Sequence, residues 1–476
     1  MKISWVVILL LFGCSNHNSY NINKSSILAT IGDRIITVND FIKRAEYNVR
    51  PSYCSGNSLK DKKIILNSLI TEKLLALNFN NNLEDSHLFI LEARKEQKMR
   101  EVFFNHNIYN NISIDSVEIV NSYNNSIKEF NISYIALPDP SPLLEILKIM
   151  QDSLFTLEEI SKIYLNTNKL PTRKLSFHED INEDMYEIFF SRNIIKGKIY
   201  GPLSIDDNYY IFRVDDWNKT INLSNIKNQE DISYLKKTIK DLKSRIEYRK
   251  YINSIMHGKE LDIHAENFEK LIKSIYSDIK NISLDKTEYK MRDLLNNKFS
   301  QNNLSNNDII CTISNREWSI GDFNELLNKN PVNINSRLNI HKLKRVLKKL
   351  IINKLEIYYL TEAAYNRGLD KHSLVKQEEH IWSDYIKSNQ VINNVSNLSN
   401  IPKDSYDFIN KVLNPLSDSL IVENLKDIKI NEDYFSNISL SSIDMHVFFK
   451  EQSNKLVVPL FPMTTNKSNQ EYLKEL

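Results

Sequence analysis

The sequence predicts a mainly α-helical protein in which one helix-rich module occurs twice, with an α+β insert in the first copy. One observation is a repeated opening pattern, ATIGDRIITVNDF at 29–41 and CTISNREWSIGDF at 311–323. Another is that ILNSLITEKL at 65–74 corresponds to VLKKLIINKL at 346–355, with apolar residues mainly at helical spacing. Two matched segments in the same order indicate an internal repeat.

The length difference between the two copies predicts the insert. The closing segments LDIHAENFEKL at 261–271 and IKINEDYFSNI at 428–438 correspond to each other. From opening to closing strand the first copy spans 232 residues and the second 117, so the first contains 115 more. We place the insert between a helix that ends near His106 and a helix at Gln229–Met256. We also expect each closing segment to pair with the hairpin of its own copy, because a lone strand leaves unpaired edges.

Each copy is predicted to open with a β-hairpin and a capped helix, followed by two long helices. A polar pair between two apolar stretches is typical of a tight hairpin turn, and a hydroxyl residue followed three positions later by an acidic residue is typical of a capping box. The turn pairs are Gly32-Asp33 and Ser314-Asn315, the capping pairs are Thr37 with Asp40 and Ser319 with Asp322, and the second long helices are His87–His106 and Lys371–Lys387.

The first residues, MKISWVVILLLFGCSN, are typical of a processing signal. The apolar run at 3–12 is too short to cross a bilayer, which takes about 20 residues. Its end resembles a bacterial lipoprotein signal, which implies that Cys14 is lipidated; an ordinary secretory signal is the alternative. Ser15 after the cysteine favours the outer membrane, so we expect a protein lipid-anchored on the periplasmic side of that membrane. Residues 15–26, rich in Asn and Ser, are predicted to be a tether.

Composition excludes several classes of function. The net charge of +2 shows no bias toward a polyanion, so nucleic acid is not expected as a partner. After Cys14 only Cys54 and Cys311 remain, which form no metal cluster and leave a single disulfide as an open alternative. The chain has 8 glycines and none of the glycine-rich phosphate-binding, zinc-protease or serine-hydrolase motifs. We therefore expect neither a cofactor nor a metal.

The excess segment has its own pattern. EFNISYIAL is strand-like, LLEILKIMQDSLFTLEEISKIY is helical, and IYGPLSIDDNYYIFRVDDW is a Gly-Pro turn followed by an aromatic strand. The helical module at 27–106 resembles the N-terminal module of the SurA-like and PrsA-like periplasmic foldases. Residues 130–217 resemble the parvulin-type (PpiC) prolyl isomerase domain that those proteins carry as an insertion. The resemblance covers most of 27–275 and, without the insert, 309–440. Its most specific part is DMYEIFFSRNIIKGKIYGPLSIDDNYYIFRV, in which Met185 and Phe189 fall at the family's apolar proline pocket.

The polar active centre of the family is changed in this chain. Tyr134 and Tyr210 stand at the two family histidine positions, and the family's acidic or cysteine residue falls at Asn166 or Asn168. The family's paired glycines fall near Arg173-Lys174. His178 matches no family histidine and is expected in a solvated loop. The resemblance therefore implies a peptide or proline pocket at Met185, Phe189, Tyr134 and Tyr210 without the titrating groups of an isomerase.

These features favour a membrane-anchored periplasmic chaperone that binds unfolded or nascent secreted and outer-membrane proteins. Two alternatives remain open: an active parvulin-type prolyl isomerase, and a structural lipoprotein that binds one assembly partner. The predicted division of the chain is a lipoprotein signal at 1–14, a tether at 15–26, chaperone module 1 at 27–111 plus 227–280, a parvulin-like insert at 112–226 with its core at 130–217, a linker at 281–307, chaperone module 2 at 308–440 and a tail at 441–476.

Overall fold

A computed structural model describes most of the chain between residues 25 and 465. The described ranges are 25–48, 50–137, 141–151, 155–167, 169–177, 181–205, 208–219, 229–281, 288–296, 304–335, 337–441, 458–462 and 464–465. Cys14, Asn168 and His178 lie outside the described residues. Within these ranges the fold is mainly α with small sheets, as the sequence predicts, and an α+β unit interrupts the first copy of the repeat.

The helices and strands of the described residues are numbered here in chain order. The strands are β1 Ile27–Ile31, β2 Arg34–Thr37, β3 Lys128–Leu137, β4 Thr172–Ser176, β5 Ile199–Ile205, β6 Asn208–Lys219, β7 Leu261–Ile263, β8 Glu288–Lys290, β9 Ile309–Ile313, β10 Arg316–Ser319, β11 Asn333–Asn335 and β12 Ile428–Ile430. The helices are α1 Val38–Glu46, α2 Leu59–Leu77, α3 Asp85–Asn107, α4 Ser116–Ser126, α5 Leu143–Gln151, α6 Leu157–Leu165, α7 Glu183–Met185, α8 Gln229–Met256, α9 Ala265–Asn281, α10 Met291–Asn296, α11 Ile320–Lys329, α12 Ile340–Asn366, α13 Ser373–Ser399, α14 Tyr406–Phe408, α15 Asn414–Glu423 and α16 Glu432–Asn437. Two π-helical turns, Tyr186–Phe190 and Ile409–Leu413, continue α7 and α14.

The chain divides into two compact units. Unit 1 contains residues 1–99 and 260–476, and unit 2 contains residues 100–259. Both copies of the opening hairpin and both closing strands lie in unit 1. Helix α8, which the sequence analysis assigned to the first chaperone module, lies in unit 2.

The hairpins and capped helices of unit 1 confirm the local predictions. β1 pairs with β2 across Gly32-Asp33, and β9 pairs with β10 across Ser314-Asn315. Ser314 and Asn315 have φ values of 50° and 63°, as a tight turn that matches the strand twist requires. Both capping boxes are formed. The hydroxyls of Thr37 and Ser319 accept from the backbone N–H groups of Asp40 and Asp322, and the carboxylates of Asp40 and Asp322 accept from the backbone N–H groups of Thr37 and Ser319.

The closing strands are exchanged between the two copies. β12 pairs antiparallel with β1, with Ile430 opposite Ala29, and β7 pairs antiparallel with β9, with Leu261 opposite Ile313. The prediction that each closing strand pairs with the hairpin of its own copy is therefore wrong. The physical reason is the connection length: β7 leads through α9 and α10 into β9, whereas all of unit 2 separates it from β1. β12 therefore pairs with the edge of β1 that β2 does not occupy.

Charged side chains in unit 1 join the two copies. Glu72 on α2 and Asp384 on α13 are both fully buried, and Lys73 Nζ lies 3.2 Å from Glu72 Oε1 and 3.0 Å from Asp384 Oδ2. Arg44 Nη1 and Nη2 each donate to Glu72 at 2.6 Å, and Arg34 Nε lies 3.2 Å from Asp384. Burial alone would raise the pKa of Glu72, but Arg44 and Lys73 hold that pKa below its ordinary value. The second long helix of copy 2 is thus fixed against copy 1.

Two segments that were predicted to be a linker and a tail contain buried residues that pack in unit 1. Residues 288–296, within the predicted linker, form β8 and α10, and β8 pairs with β11. Met291, Leu294 and Leu295 of α10 are buried. In the predicted tail, Phe461 belongs to the apolar core around α1, α2 and β12.

Unit 2 is built on an antiparallel sheet with the strand order β4-β3-β6-β5. Alternate residues of β3 and β6 point to opposite faces, and each face has its own core. One core contains Phe130, Phe212 and residues from the α7 region and α8. The other contains Ile135 and Ile211 with residues of α5 and α6. Among all described residues, no helix combines the length and the apolar character needed to cross a membrane.

Candidate functional site

Met185 and Phe189 of the predicted proline pocket lie on the helical turn at residues 183–190. The side chain of Asn182 accepts from the backbone N–H of Met185 at 2.8 Å and so starts the turn. Phe189 is fully buried and stacks on Phe212, with ring centroids 4.6 Å apart. Met185 is 9% exposed in the same core. In the described structure Phe189 is therefore a core residue, and only the edge of Met185 reaches the surface.

Tyr134 and Tyr210 lie together on this face of the sheet. Their ring centroids are 5.8 Å apart, and both rings are half-buried against the core. Tyr134 is opposite Phe212 on β6, and Tyr210 is opposite Leu203 on β5. The sheet thus brings the two family histidine positions into contact, and phenol rings occupy them. This pair offers an apolar surface and hydroxyl groups, but no group whose ordinary pKa is near 7.

The Gly201-Pro202 pair, predicted to be a turn, lies within β5 and is fixed by its close approach to the backbone of β6. Gly201 has a φ of 118°, and a Cβ atom there would lie 2.7 Å from the carbonyl oxygen of Tyr210. Only glycine fits this position without a shift of β6. This close approach places Pro202 and Leu203 beside Tyr210.

A cavity of about 220 Å³ lies next to these residues. Its lining residues are Asp184, Glu187, Ile188, Pro202, Leu203 and Arg249. Arg249 Nη1 donates to Asp184 at 2.8 Å across the cavity wall. Three of the lining residues are apolar and three carry charged side chains.

Helix α8 covers part of the same face. Leu235, Ile239 and Leu242 are buried in the core that holds Phe189. Lys243 Nζ lies 2.6 Å from Glu118, and Arg245 Nη1 lies 3.3 Å from Glu183. The sequence predicted a helix at Gln229–Met256 but did not identify Arg249 as a cavity residue. The signal that could have found it is the placement of Arg245 and Arg249 at i and i+4, opposite the acidic Glu183-Asp184 pair.

Tyr186, which sits between Met185 and the buried phenylalanines, is held as a neutral donor. Its hydroxyl donates to Glu118 Oε1 at 2.6 Å. Burial and this hydrogen bond raise the pKa of Tyr186 far above its ordinary value. Tyr186 therefore stays protonated and acts in packing and hydrogen bonding.

Three further predicted positions lie at the end of α6 and on β4. Asn166 ends α6 in a left-handed conformation with a φ of 54°, and Arg173 and Lys174 are exposed on β4. Lys174 Nζ bonds Glu129 on the neighbouring strand at 2.7 Å. Among the described residues, no group of three or more His, Cys, Asp or Glu side chains could hold a metal ion.

Comparison with known proteins gives one structural likeness. No protein-family model matches the chain, and no curated protein matches it. Among solved structures, the peptidylprolyl isomerase PrsA from Bacillus cereus is similar at 13% sequence identity and a TM-score of 0.18. The match covers 47% of this chain and 86% of that chain. A likeness at this level establishes no common fold.

Proposed function

We propose that the protein is a chaperone that binds unfolded or nascent secreted and outer-membrane proteins on the periplasmic side of the outer membrane, anchored by lipid at Cys14. The observation that carries the proposal is exposed apolar surface on α5 and α6 of unit 2. Leu144, Ile163 and Leu165 are 74%, 57% and 37% exposed. Large apolar side chains grouped at a surface are typical of an interaction site.

The two helices that carry these side chains lie next to each other. Tyr164 on α6 donates to Glu145 Oε2 on α5 at 3.0 Å, and each of the three apolar residues is adjacent in sequence to one of these two residues. Phe155, 39% exposed, precedes α6 in the chain. The surface is available to an apolar segment of another polypeptide, and no titrating group is needed to hold such a segment.

The experiment compares two double variants of the chain beginning at Ser15. In one, Leu144→Asp is combined with Ile163→Asp; in the matched control, Val117→Asp is combined with Val120→Asp on the exposed side of α4. We expect the intact chain to suppress aggregation of several unrelated unfolded outer-membrane proteins. The first variant should need a severalfold higher concentration for the same protection, and the control should match the intact chain.

Two outcomes would contradict the proposal. Protection of no client, together with tight binding of one folded protein, would favour the structural lipoprotein. Equal loss in both variants would show that the α5–α6 surface is not the binding surface.

The site also predicts that prolyl isomerase activity is absent, because Tyr134 and Tyr210 replace the family histidines. Uncatalysed X-Pro isomerisation takes about 10–100 s at 25 °C, so even modest catalysis on a proline peptide would be visible. We expect no acceleration. An acceleration that Met185→Ala abolishes while the protein stays folded would instead assign the isomerase function; Phe189→Ala is unsuitable because Phe189 is core.

A further inference from the structure

A segment near the C-terminus lies in a groove of unit 1. Its described residues are 458–462 and 464–465, with the sequence VPLFP and TT, and they form neither helix nor strand. The groove is bounded by α1, α2 and the start of α15. Phe461 and Thr464 are 7% and 0% exposed, whereas Leu460, the residue before Phe461, is 46% exposed. The segment thus inserts one face and leaves the other at the surface.

At one end of the groove, side chains bind the main chain of the segment. Arg44 Nε donates to the carbonyl oxygen of Pro459 at 3.2 Å, and Arg44 Nη2 donates to that of Leu460 at 2.7 Å. Asn48 Nδ2 also donates to the Pro459 carbonyl, at 3.2 Å. Because the paired contacts with Glu72 fix the guanidinium of Arg44, its remaining donors are already oriented toward the groove.

At the other end, side chains satisfy backbone donors of the segment. The N–H of Thr464 donates to Ser68 Oγ at 3.0 Å, and the N–H of Thr465 donates to Asn414 Oδ1 at 3.1 Å. Asn414 Nδ2 donates in turn to the hydroxyl of Thr465 at 2.7 Å. Between the two ends, Phe461 enters the apolar core, and Arg44 Cζ lies 5.3 Å from its ring centroid.

This pattern is that of a receptor for an extended peptide. Most of the polar contacts go to backbone atoms, which every extended segment carries, and the buried Phe461 side chain fills an apolar pocket. Pro459 and Pro462 have no N–H, so an extended proline-containing segment leaves no donor unsatisfied at those positions. Proline also restricts the free segment and lowers the entropy cost of binding.

We propose that this groove is a peptide-binding site for extended apolar segments that contain proline, and that residues 458–462 and 464–465 are its resident intramolecular occupant, displaced when such a segment of another polypeptide binds. The groove is formed by residues of unit 1 only, whereas the α5–α6 surface belongs to unit 2. The proposal therefore does not depend on the proposed chaperone surface.

The test uses the labelled peptide VPLFPMTT, the sequence of residues 458–465, with the intact chain and with a chain that ends at Val457. A tethered occupant competes at an effective concentration on the order of 1 mM, so we expect the peptide to bind the shortened chain at least about tenfold more tightly. The same peptide with the F461D change should bind neither chain. Equal affinity for both chains, or no binding to a folded shortened chain, would overturn the proposal.

A second measurement, the thermal unfolding transition of the shortened chain, tests whether removal of the segment destabilises the fold. If removal of the segment lowers its thermal transition, the added peptide should raise it again; a failure to do so would show that the segment is an ordinary part of the core. In the shortened chain, Asn414→Ala should weaken peptide binding by a few-fold to about tenfold. The nearby exposed Lys411→Ala should leave binding unchanged. Neither readout includes an aggregating client, so this proposal and the chaperone function can fail separately.

Discussion

At the scale of single residues, a network of buried charges connects three helices of unit 1. Glu72 and Lys73 occupy a helix whose sequence pattern predicts only amphipathic character, and their partners Arg44 and Asp384 come from other helices. A lysine in a helical pattern is usually exposed, so the sequence gives no reason to place these charges together. The apolar Phe189 and Met185, in contrast, were predictable as packing residues from their i and i+4 spacing.

We expect Glu72→Gln to destabilise unit 1 strongly. The change leaves Arg44 and Lys73 buried without their full negative partner, and breaking a buried ion pair typically costs about 3–5 kcal/mol. Denaturant unfolding should show this loss. The matched control is Glu266→Gln, in an exposed pair with Lys270, for which no measurable change is expected.

Glu72 also predicts how stability depends on pH. Its pKa in the folded protein is below the value of about 4.3 for an unfolded glutamate. Its contribution is therefore present above about pH 4.3 and is lost as the pH falls through the folded-state pKa. The Glu72→Gln variant should lose less stability than the parent between pH 5 and strongly acidic pH; identical acid unfolding curves would contradict the assignment.

The two cysteines are expected to be inert toward thiol reagents. Both are free and buried, and burial raises the pKa of Cys54 to about 11 and that of Cys311 to about 12. Since the thiolate is the reactive form, a thiol reagent at pH 8 should label neither in the folded chain beginning at Ser15. Both should react after denaturation. Rapid labelling of the folded protein would show that these sites open.

At the scale of elements, local signals predicted the hairpins and caps but not the partner of each closing strand. The turn residues and capping pairs act within a few positions of the chain, so the sequence alone defines them. The closing strands LDI and IKI have three residues each, and backbone hydrogen bonds accept either one at either hairpin edge. The packing of the long helices and the connection lengths decide the exchange, and these are properties of the folded chain.

The exchange predicts which engineered cysteines can form a disulfide. Thr30 lies opposite Lys429, whereas the pairing within one copy would place it opposite Asp262, the residue that faces Thr312. Side chains on directly opposite residues are close enough for a bridge. We expect Thr30→Cys with Lys429→Cys to form an intramolecular disulfide, visible as a mass loss and a shift on a non-reducing gel.

The control for this experiment is Thr30→Cys with Asp262→Cys. It should remain reduced under the same oxidation. A disulfide in the control and none in the first pair would show that each copy closes on itself.

At the scale of the whole molecule, the sequence predicted an internal repeat with an inserted α+β unit, and the lipid anchor stays a prediction. We expect labelled palmitate to be incorporated in bacterial cells, with Cys14→Ser abolishing it and moving the protein from the membrane to the soluble fraction. Cys54→Ser is the matched control and should keep both the label and the membrane location. Incorporation that persists in Cys14→Ser would contradict the anchor.

The exchanged strands also set an order in time. A chain made from its N-terminus at about 5–20 residues per second completes β1 roughly 20–80 s before Ile428–Ile430 exist. β9 meets no such delay, because β7 is already present when β9 is made. The hairpin synthesised first is thus completed last, and until then β1 presents an edge on which the nascent protein can pair with a neighbouring chain.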